Sequence, residues 1–168
     1  NNPEKTFICG GEESYGFLIG DFVRDKDANS ACFMIAEIAA WATEHNKSLY
    51  QILKEIYKEF GFYKEGLLSL TKKGISGNEE IKNMMFKFRT DPPKSILGSR
   101  VVEIKDYKQG VSKDNRLGIE TIINLPKSDV LQFITEDGTK ISIRPSGTEP
   151  KIKLYMGIKG TSMEDAEQ

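Results

Sequence analysis

The chain has 168 residues, of which 38% are hydrophobic and 29% are charged, a balance typical of globular domains. That length suits one ordinary domain or two small ones. The formal net charge is −1, with 24 Lys and Arg against 25 Asp and Glu, so overall charge does not favour binding to nucleic acid or to an anionic membrane.

Other features of the sequence indicate the cellular environment in which the protein is expected to act. No apolar stretch is long enough to span a bilayer, and no signal peptide is recognisable. Cys9 and Cys32 form neither a metal-ligand spacing nor a disulfide framework, which predicts a reducing, cytoplasmic environment. A strand-like run follows Asn1 almost at once, without an initiator Met, and we expect the chain to be part of a longer polypeptide.

The first predicted elements are a strand, a loop and a helix. Residues 5–11, "KTFICGG", predict a short buried strand that ends in a glycine pair. Residues 12–27 predict a loop with at most a short extended piece. Residues 28–45 predict a helix with Asp27 as its N-cap. Small and apolar residues cover much of this helix, which indicates burial on more than one side.

A second helix is predicted over residues 48–61. Ser48 and Gln51 have the spacing of a capping box, and Gly61 is a typical C-terminal stop. One apolar stripe follows the helical period: Leu49, Ile52, Leu53, Ile56, Tyr57 and Phe60. An amphipathic helix of this kind is expected to pack on one face.

The pattern changes after this helix. Residues 62–77 are mixed in character and interrupted by glycine, and we place a domain boundary here, with domains at 1–65 and 66–168. Residues 78–89 predict a third helix, opened by a Ser76–Glu79 capping box and closed by "DPP".

The rest of the chain has the two-residue period of strands. A hairpin turn is indicated at "EDG", and residues 161–168 resemble the start of a helix. Five strands are predicted, over residues 100–107, 117–125, 130–138, 139–144 and 151–158. The fold class is therefore an α/β remnant followed by a small α+β domain with a mainly antiparallel sheet and flanking helices.

One polar loop, "RPSGT", lies between the last two predicted strands. Arg144 offers a planar guanidinium, Ser146 and Thr148 offer hydroxyl groups, and Gly147 permits close backbone approach to an anion. Pro145 limits the entropy lost on binding. The pattern suits a phosphate or a carboxylate, and it suits a solvated turn about equally well. It is not a P-loop, because the GxxxxGK[ST] order is absent.

A second polar cluster lies near the N-terminus, in "GGEESYG" and "RDKD". Glu12, Glu13 and Ser14 could bind sugar hydroxyls. Two adjacent glutamates rarely bind one metal ion, and spacing alone favours a charged loop. Lys26 either belongs to a solvated helix start, reaches a phosphate, or transfers a proton.

The nucleophiles and bases of common enzymes do not form a recognisable set. His45, the single histidine, is expected to be exposed at a helix end, and no Ser-His-Asp or Cys-His arrangement can be built around it. No metal-ligand cluster is present in the sequence. The two loops therefore look like the substrate-receiving part of an active site.

Taken together, "GGEESYGFLIGDFVRDKDA" and "RPSGTEPKIKLYM" resemble the C-terminal part of the α-D-phosphohexomutases, most closely the bacterial phosphoglucomutases and phosphomannomutases. The resemblance covers nearly the whole chain. It implies that residues 1–65 are the end of the third of four domains, and that residues 66–168 are the fourth domain.

The resemblance also implies roles for individual residues. Glu12 and Ser14 would bind the sugar hydroxyls, and Lys26 would lie near a substrate phosphate or assist proton transfer. The loop residues Arg144, Ser146, Gly147 and Thr148 would hold the phosphate that is not transferred. Many members have Gly after "KD" where this chain has Ala28.

The implied reaction interconverts hexose 1-phosphate and hexose 6-phosphate through a phosphoserine and a bisphosphate. The phosphoserine loop and the aspartate-rich Mg²⁺ loop of the family do not occur here. The fragment is therefore expected to be inactive alone, with the N-terminal domains of the parent chain as partner and with Mg²⁺ and glucose 1,6-bisphosphate as cofactors. The alternatives are a non-catalytic sugar-phosphate or anion-binding module and, against the charge balance, a nucleic-acid binder.

Overall fold

The computed structural model describes residues 4–12, 16–72, 74, 76–162 and 164–165. It has two compact units, Asn1–Glu59 and Phe60–Gln168. The division lies slightly before the boundary expected between residues 65 and 66. The predicted fold class is confirmed, because helices dominate the first unit and every strand pairing in the second is antiparallel.

The first unit opens with a two-stranded ribbon. Strands β1 (Cys9–Gly11) and β2 (Phe17–Ile19) pair antiparallel, with Gly10 opposite Leu18. β1 is shorter than the predicted strand, and the prediction that it is buried is wrong, since Ile8 is 76% exposed and Cys9 is also exposed. A ribbon of two strands has too little area to bury either face by itself.

The first helix, α1 (Ala28–Glu44), begins where the sequence predicts. The Asp27 carboxylate accepts hydrogen bonds from the N–H groups of Asn29 and Ser30, both at 3.1 Å, which confirms it as the N-cap. Burial on more than one side is not observed within this unit. Ala42 alone is buried, while Phe33 is 68% exposed, because the described residues of the unit provide no second apolar layer.

The second helix, α2 (Leu49–Phe60), has the predicted capping box. The Ser48 N–H donates to Gln51 Oε1 at 2.7 Å, and the Gln51 N–H donates to Ser48 Oγ at 3.2 Å. Gly61 follows with φ of +110°, the left-handed geometry of a helix stop. The apolar stripe is present, but none of its residues is fully buried.

The second unit is an eight-stranded antiparallel sheet with one described long helix. The sheet order is β3-β10-β9-β8-β5-β6-β7, and β4 pairs with β5 beside this path. The elements are β3 (Phe62–Thr71), α3 (Gly77–Thr90), β4 (Ser95–Ile96), β5 (Ser99–Asp106), β6 (Val111–Asp114), β7 (Ile119–Ile122), β8 (Leu131–Thr135), β9 (Lys140–Pro145) and β10 (Lys151–Gly160).

Strand β3 replaces the predicted irregular segment. It pairs with β10 along its whole length, from Thr71 opposite Lys151 to Phe62 opposite Gly160. Gly66 interrupts the apolar pattern that would have revealed the strand. A side chain at Gly66 would come within 3.1 Å of Met156 Cε, so the glycine makes room for the partner strand. Pairing with β10, which is distant in the sequence, therefore makes this segment a strand.

The core of the second unit lies between α3 and one face of the sheet. Ile81 and Met85 of the helix pack on five buried sheet residues: Val101, Leu131, Phe133, Ile143 and Ile152.

The predicted Ser76–Glu79 capping box is wrong. Ser76 already has helical backbone angles, so its hydroxyl does not cap the helix and instead donates to Glu80 Oε1 at 3.4 Å.

The remaining strand predictions fit β5, β8, β9 and β10, and the turn at Glu136–Gly138 is confirmed by the Thr135 N–H bond to Thr139 O at 2.9 Å. The strand predicted over 117–125 is shorter, and its hairpin partner β6 was missed. No helix in the described part of the chain is long and apolar enough to cross a membrane.

Candidate functional site

The first candidate site centres on the pairing of β9 with β10. Ile143 and Ile152 point into the core beneath α3 and are 2% and 0% exposed. Because successive side chains in a strand alternate between the two faces, Arg144 and Lys153 lie on the opposite face. They are direct partners in the register of the two strands. Two cations are therefore adjacent on the sheet face away from α3.

Neither cation forms an ion pair with any residue that the structure describes. The Lys153 ammonium lies 5.9 Å from the centre of the Tyr155 ring, a weak favourable contact. Like charges directly opposite each other destabilise an antiparallel pair. An anion placed between Arg144 and Lys153 would remove that repulsion.

The loop that follows Arg144 is closed by its own hydrogen bonds. The Ser146 N–H donates to Lys151 O at 2.7 Å. The Ser146 hydroxyl accepts from the N–H groups of Thr148 and Glu149 at 3.4 and 3.3 Å. Both distances are long, so these N–H groups are held only loosely. The loop can therefore turn backbone donors towards a ligand at little cost.

Gly147 stands at the tip of this loop without a structural reason for being glycine. A Cβ atom there would meet nothing within 4 Å, and its φ lies outside the left-handed region. Among the described residues, no acceptor is recorded for its N–H. A ligand that approaches the backbone closely would explain the missing side chain.

Glu149 is the one carboxylate in the loop. It pairs with the Lys151 ammonium at 2.9 Å. This hydrogen bond, with the further attraction of Lys153, lowers the pKa of Glu149. The Glu149 carboxylate thus pairs with Lys151, and among the described residues it forms no ion pair with Arg144.

The α3 side of the same loop is less suited to an anion. A pocket of about 310 Å³ there is lined by Lys82, Asp129 and Glu149 together with the loop backbone. Asp129 is hydrogen-bonded to Arg89, and Lys108 Nζ lies 3.7 Å from its other oxygen. The carboxylates of Asp129 and Glu149, although paired with cations, face this pocket and make it less favourable for a dianion than the opposite face.

Arg89, the partner of Asp129, is largely buried in the second unit. Its Nε donates to Asp106 Oδ2 at 3.0 Å, and its side chain is 13% exposed. Burial alone would lower the pKa of Arg89, but its hydrogen bonds to Asp129 and Asp106 raise it. Asp106 also accepts from the N–H groups of Lys108 and Gln109, so its carboxylate is well satisfied.

The second candidate site lies in the first unit, around Lys26. Its ammonium lies 3.1 Å from Asp25 Oδ1 and 3.7 Å from Glu12 Oε1. Gly16 makes this arrangement possible, because a Cβ atom there would lie 2.1 Å from Lys26 Cδ. The Glu12 N–H also donates to Gly16 O at 2.8 Å. The structure thus brings Glu12 and Lys26 together, whereas Glu13 and Ser14 lie outside the described residues.

The electrostatics of Lys26 bear on its role. The hydrogen bond that the Lys26 ammonium donates to Asp25, and then the charges of Asp25 and Glu12, raise the pKa of Lys26. A lysine with a raised pKa is protonated at neutral pH. Such a group is suited to attracting a phosphate or to donating a proton, and it cannot act as a base without first losing its proton.

His45 takes no part in either cluster. It is exposed, as predicted, and its ring stacks on Trp41 with a centroid distance of 4.1 Å. Across the described ranges, no group of three or more His, Cys, Asp or Glu side chains could hold a metal ion. The described residues therefore do not form a site that fits Mg²⁺.

Comparison with known proteins matches both parts of the chain to domains of one family. The model of phosphoglucomutase/phosphomannomutase alpha/beta/alpha domain III matches residues 2–60, and the model of the C-terminal domain of the same proteins matches residues 89–167. The chain belongs to the phosphoglucomutase/phosphomannomutase family. The predicted resemblance is confirmed.

Relatives of this phosphoglucomutase/phosphomannomutase chain align with almost its whole length. A phosphoglucomutase of Staphylococcus aureus (strain bovine RF122 / ET3-1) is 42% identical over 169 residues, which cover 99% of this chain and 30% of that protein. A phosphoglucomutase of Staphylococcus epidermidis (strain ATCC 12228 / FDA PCI 1200) is 39% identical over 157 residues, or 94% of this chain and 29% of that protein. The chain thus spans about 30% of the length of these curated relatives.

A solved structure shares the fold. The open form of the exocytosis-sensitive phosphoprotein pp63/parafusin, a phosphoglucomutase from Paramecium, has a TM-score of 0.57 and 19% identity, and the match covers 92% of this chain and 26% of that one. At this identity the likeness concerns the fold alone.

One residue of the candidate site in this phosphoglucomutase/phosphomannomutase chain, Lys153, does not stand out in the sequence. The pattern predicts it only as part of a strand, and the structure places it opposite Arg144. The signal was available in principle, since Ile152 and Leu154 alternate with it and mark the buried face. The register of β9 against β10 was needed to place Lys153 beside Arg144.

Proposed function

We propose that this chain supplies the sugar-binding loop and a phosphate-binding loop of a phosphoglucomutase/phosphomannomutase. The intact parent would interconvert hexose 1-phosphate and hexose 6-phosphate through a phosphoserine and a bisphosphate. The observation that carries the proposal is the adjacent pair Arg144 and Lys153, unpaired among the described residues, at the start of a loop with loosely held N–H groups.

The phosphate not being transferred would rest on the face of the sheet away from α3. Arg144 would hold two of its oxygens with the guanidinium fork. Lys153 would add a compact positive charge, and the Gly147 and Thr148 N–H groups and the Ser146 and Thr148 hydroxyls would complete the shell.

This donor set suits a substrate that binds in two orientations. The bisphosphate must present first one phosphate and then the other to the transfer site. The sugar atoms next to the phosphate in the loop therefore differ between the two orientations. Backbone N–H groups and an ammonium make little directional demand, so they can bind either phosphate with similar strength.

The first unit would hold the sugar. Glu12 accepts hydrogen bonds strongly and, with Ser14, would bind ring hydroxyls. Lys26 is held beside Glu12 and is protonated at neutral pH, which favours attraction of a substrate phosphate or donation of a proton over action as a base. Gly16 supports this role because it leaves space for the Lys26 side chain.

The remaining parts of the reaction would come from the N-terminal domains of the parent chain. These would contribute the phosphoserine and the site of Mg²⁺, with glucose 1,6-bisphosphate as the activating intermediate and the cytoplasm as the setting. The chain by itself would bind hexose phosphate and would not turn it over.

The second candidate function is a sugar-phosphate or anion-binding module without catalysis. The same Arg144–Lys153 pair would serve it. The two functions differ in the parent protein. Conversion of glucose 1-phosphate to glucose 6-phosphate by the parent, lost on Arg144→Ala, supports the enzyme, and binding without conversion supports the module.

The direct experiment is a titration of the 168-residue chain with glucose 1,6-bisphosphate, followed by two-dimensional amide NMR. We expect shifts at Ser146, Gly147 and Thr148 and along β9 and β10. Glucose without phosphate should leave these resonances unchanged. An unchanged spectrum at millimolar bisphosphate would contradict a phosphate site in this unit.

A further inference from the structure

A third cation, Lys151, lies beside the Arg144–Lys153 pair and differs from it in having an ion-pair partner. Side chains two residues apart in a strand point to the same face. Lys151 and Lys153 therefore leave β10 on the face away from α3. The Lys151 ammonium lies 2.9 Å from Glu149 Oε2. One of three neighbouring cations is thus neutralised within the loop, while the other two are left for a ligand.

The positive charge that remains matches the charge of one phosphate group. Arg144 and Lys153 contribute two positive charges, and the Glu149–Lys151 pair contributes no net charge. A phosphate monoester is largely a dianion at neutral pH, because its second pKa is about 6. Without the Glu149 carboxylate, three positive charges would act on the same dianion. Glu149 therefore determines how far the positive charge of the site exceeds that of a matched pair.

The Glu149 carboxylate also interacts with the site itself. The hydrogen bond and the charge of Lys151, and less strongly the charge of Lys153, lower the pKa of Glu149. The carboxylate is therefore ionised at neutral pH, and its charge acts on one of the two cations proposed to hold phosphate. Its side chain is 60% exposed, so water screens the ion pair with Lys151, which contributes little to the stability of the fold.

We propose that Glu149 limits the strength of phosphate binding at the Arg144–Lys153 pair, because it neutralises Lys151 and repels the bound dianion. This role rests on the proposed function, in which the bisphosphate presents first one phosphate and then the other to the transfer site. The loop must then release each phosphate as well as bind it. Two cations and the backbone N–H groups provide the attraction, and Glu149 provides the opposing charge.

A pair of substitutions separates this effect of charge from an effect on the shape of the loop. Glu149→Gln keeps a carbonyl acceptor for Lys151 and removes the negative charge. Lys151→Met keeps most of the aliphatic stem and removes the positive charge. The double variant has the same local net charge as the unchanged chain. If the pair only held the loop in shape, neither single variant would bind phosphate more tightly, and the double variant would not recover binding.

Titration of the 168-residue chain with glucose 1,6-bisphosphate at low salt, followed by amide NMR, measures the dissociation constants. We expect Glu149→Gln to bind about threefold to tenfold more tightly, because a negative charge near the dianion is removed. Lys151→Met should bind more weakly by a similar factor. The double variant should return to within about twofold of the unchanged chain. In about 1 M salt, where the Debye length is about 3 Å, these differences should shrink.

Glu120→Gln is the matched control, because it removes one negative charge from β7, four strands away from β9 in the sheet order. Its dissociation constant should not change, and circular dichroism confirms that each variant is folded. Tighter binding by Glu120→Gln equal to that of Glu149→Gln would overturn the local role of Glu149.

The outcomes for Glu149 and for the phosphate site itself can be told apart. Unchanged or weaker binding by Glu149→Gln, in a chain whose binding is weakened by Arg144→Ala, would overturn the role of Glu149 and leave the phosphate site in place. Absence of binding by the unchanged chain at millimolar bisphosphate would contradict the phosphate site, and the role of Glu149 with it.

Discussion

Arg144 on β9 and Lys153 on β10 stand directly opposite each other, two cations on the sheet face away from the helix. The core residues beside them, Ile143 and Ile152, hold both in this orientation because they are buried beneath α3. The repulsion between the two cations is thus fixed by the core. A bound phosphate would relieve it, which links the stability of this strand pair to ligand binding.

Loss of either cation should therefore weaken phosphate binding. We expect Arg144→Ala to reduce affinity for glucose 1,6-bisphosphate about tenfold to a hundredfold, because a charged hydrogen bond contributes about 1.5–3 kcal/mol. Lys153→Ala should have a smaller effect, since an ammonium makes fewer directed bonds than a guanidinium. Isothermal titration calorimetry measures both.

Lys82→Ala is the matched control for these variants. Lys82 lines the pocket on the α3 side of the same loop, next to Asp129 and Glu149. We expect its affinity to stay unchanged. A loss with Lys82→Ala and none with Arg144→Ala would place the phosphate in the α3-side pocket instead.

Two glycines of the second unit should respond differently to the same substitution. Gly147→Ala meets open space, so the free energy of unfolding should change little while bisphosphate affinity falls. Gly77→Ala brings its Cβ to within 2.6 Å of Lys72 O, and should lower the free energy of unfolding by about 1–3 kcal/mol. Urea unfolding distinguishes them. Gly147→Ala that keeps full affinity would remove the proposed reason for glycine at the loop tip.

The ion pair of Arg89 with Asp106 should be a major contributor to the stability of the second unit. Both side chains are largely buried, at 13% and 12% exposed. Arg89→Met leaves Asp106 without its charged partner and should cost about 3 kcal/mol. The double variant Arg89→Met with Asp106→Asn should recover part of this loss, because the largely buried Asp106 carboxylate is then no longer left without a cation. Thermal unfolding at neutral pH measures both, and an unchanged midpoint for Arg89→Met would show that water screens the pair.

Asp114 provides a pH test at the turn between β6 and β7. The hydrogen bond from Arg116 holds the pKa of Asp114 at about 2, below its usual 3.8. A lowered pKa in the folded state stabilises the hairpin above pH 4, and this contribution is lost as the pH falls towards 2. Carboxyl NMR should show the Asp114 midpoint rise towards 3.8 in Arg116→Ala. The same midpoint in both proteins would rule out Arg116 as the cause.

The two units should differ in local stability. The first unit buries Ala42 alone in α1 and no residue in α2, while the second has a continuous core from Ile81 to Ile152. Amide protons of α1 and α2 should exchange faster than those of β5, β8 and β9. Similar protection would mean that another copy or another polypeptide covers the exposed helix faces.

Much of the local structure followed from the sequence. The Asp27 cap, the Ser48–Gln51 capping box and the Gly61 stop form as predicted, because each depends on groups within a few residues of one another. The turn at Glu136–Gly138 is equally local. The family could also be recognised from two contiguous stretches of residues, since each stretch remains together in the chain.

Other features depended on contacts that a linear pattern does not contain. The sequence predicts an irregular segment at β3 because Gly66 breaks the apolar pattern, and pairing with β10 makes it a strand. Ser76 failed to cap α3 because the backbone enters the helix one residue early. The place of Lys153 beside Arg144 depends on strand register. The sequence alone determined the family, the helices and the donor-rich loop, because these rest on short-range chemistry. Only the tertiary structure decided which cations meet, because strand register is set by the packing of the whole sheet.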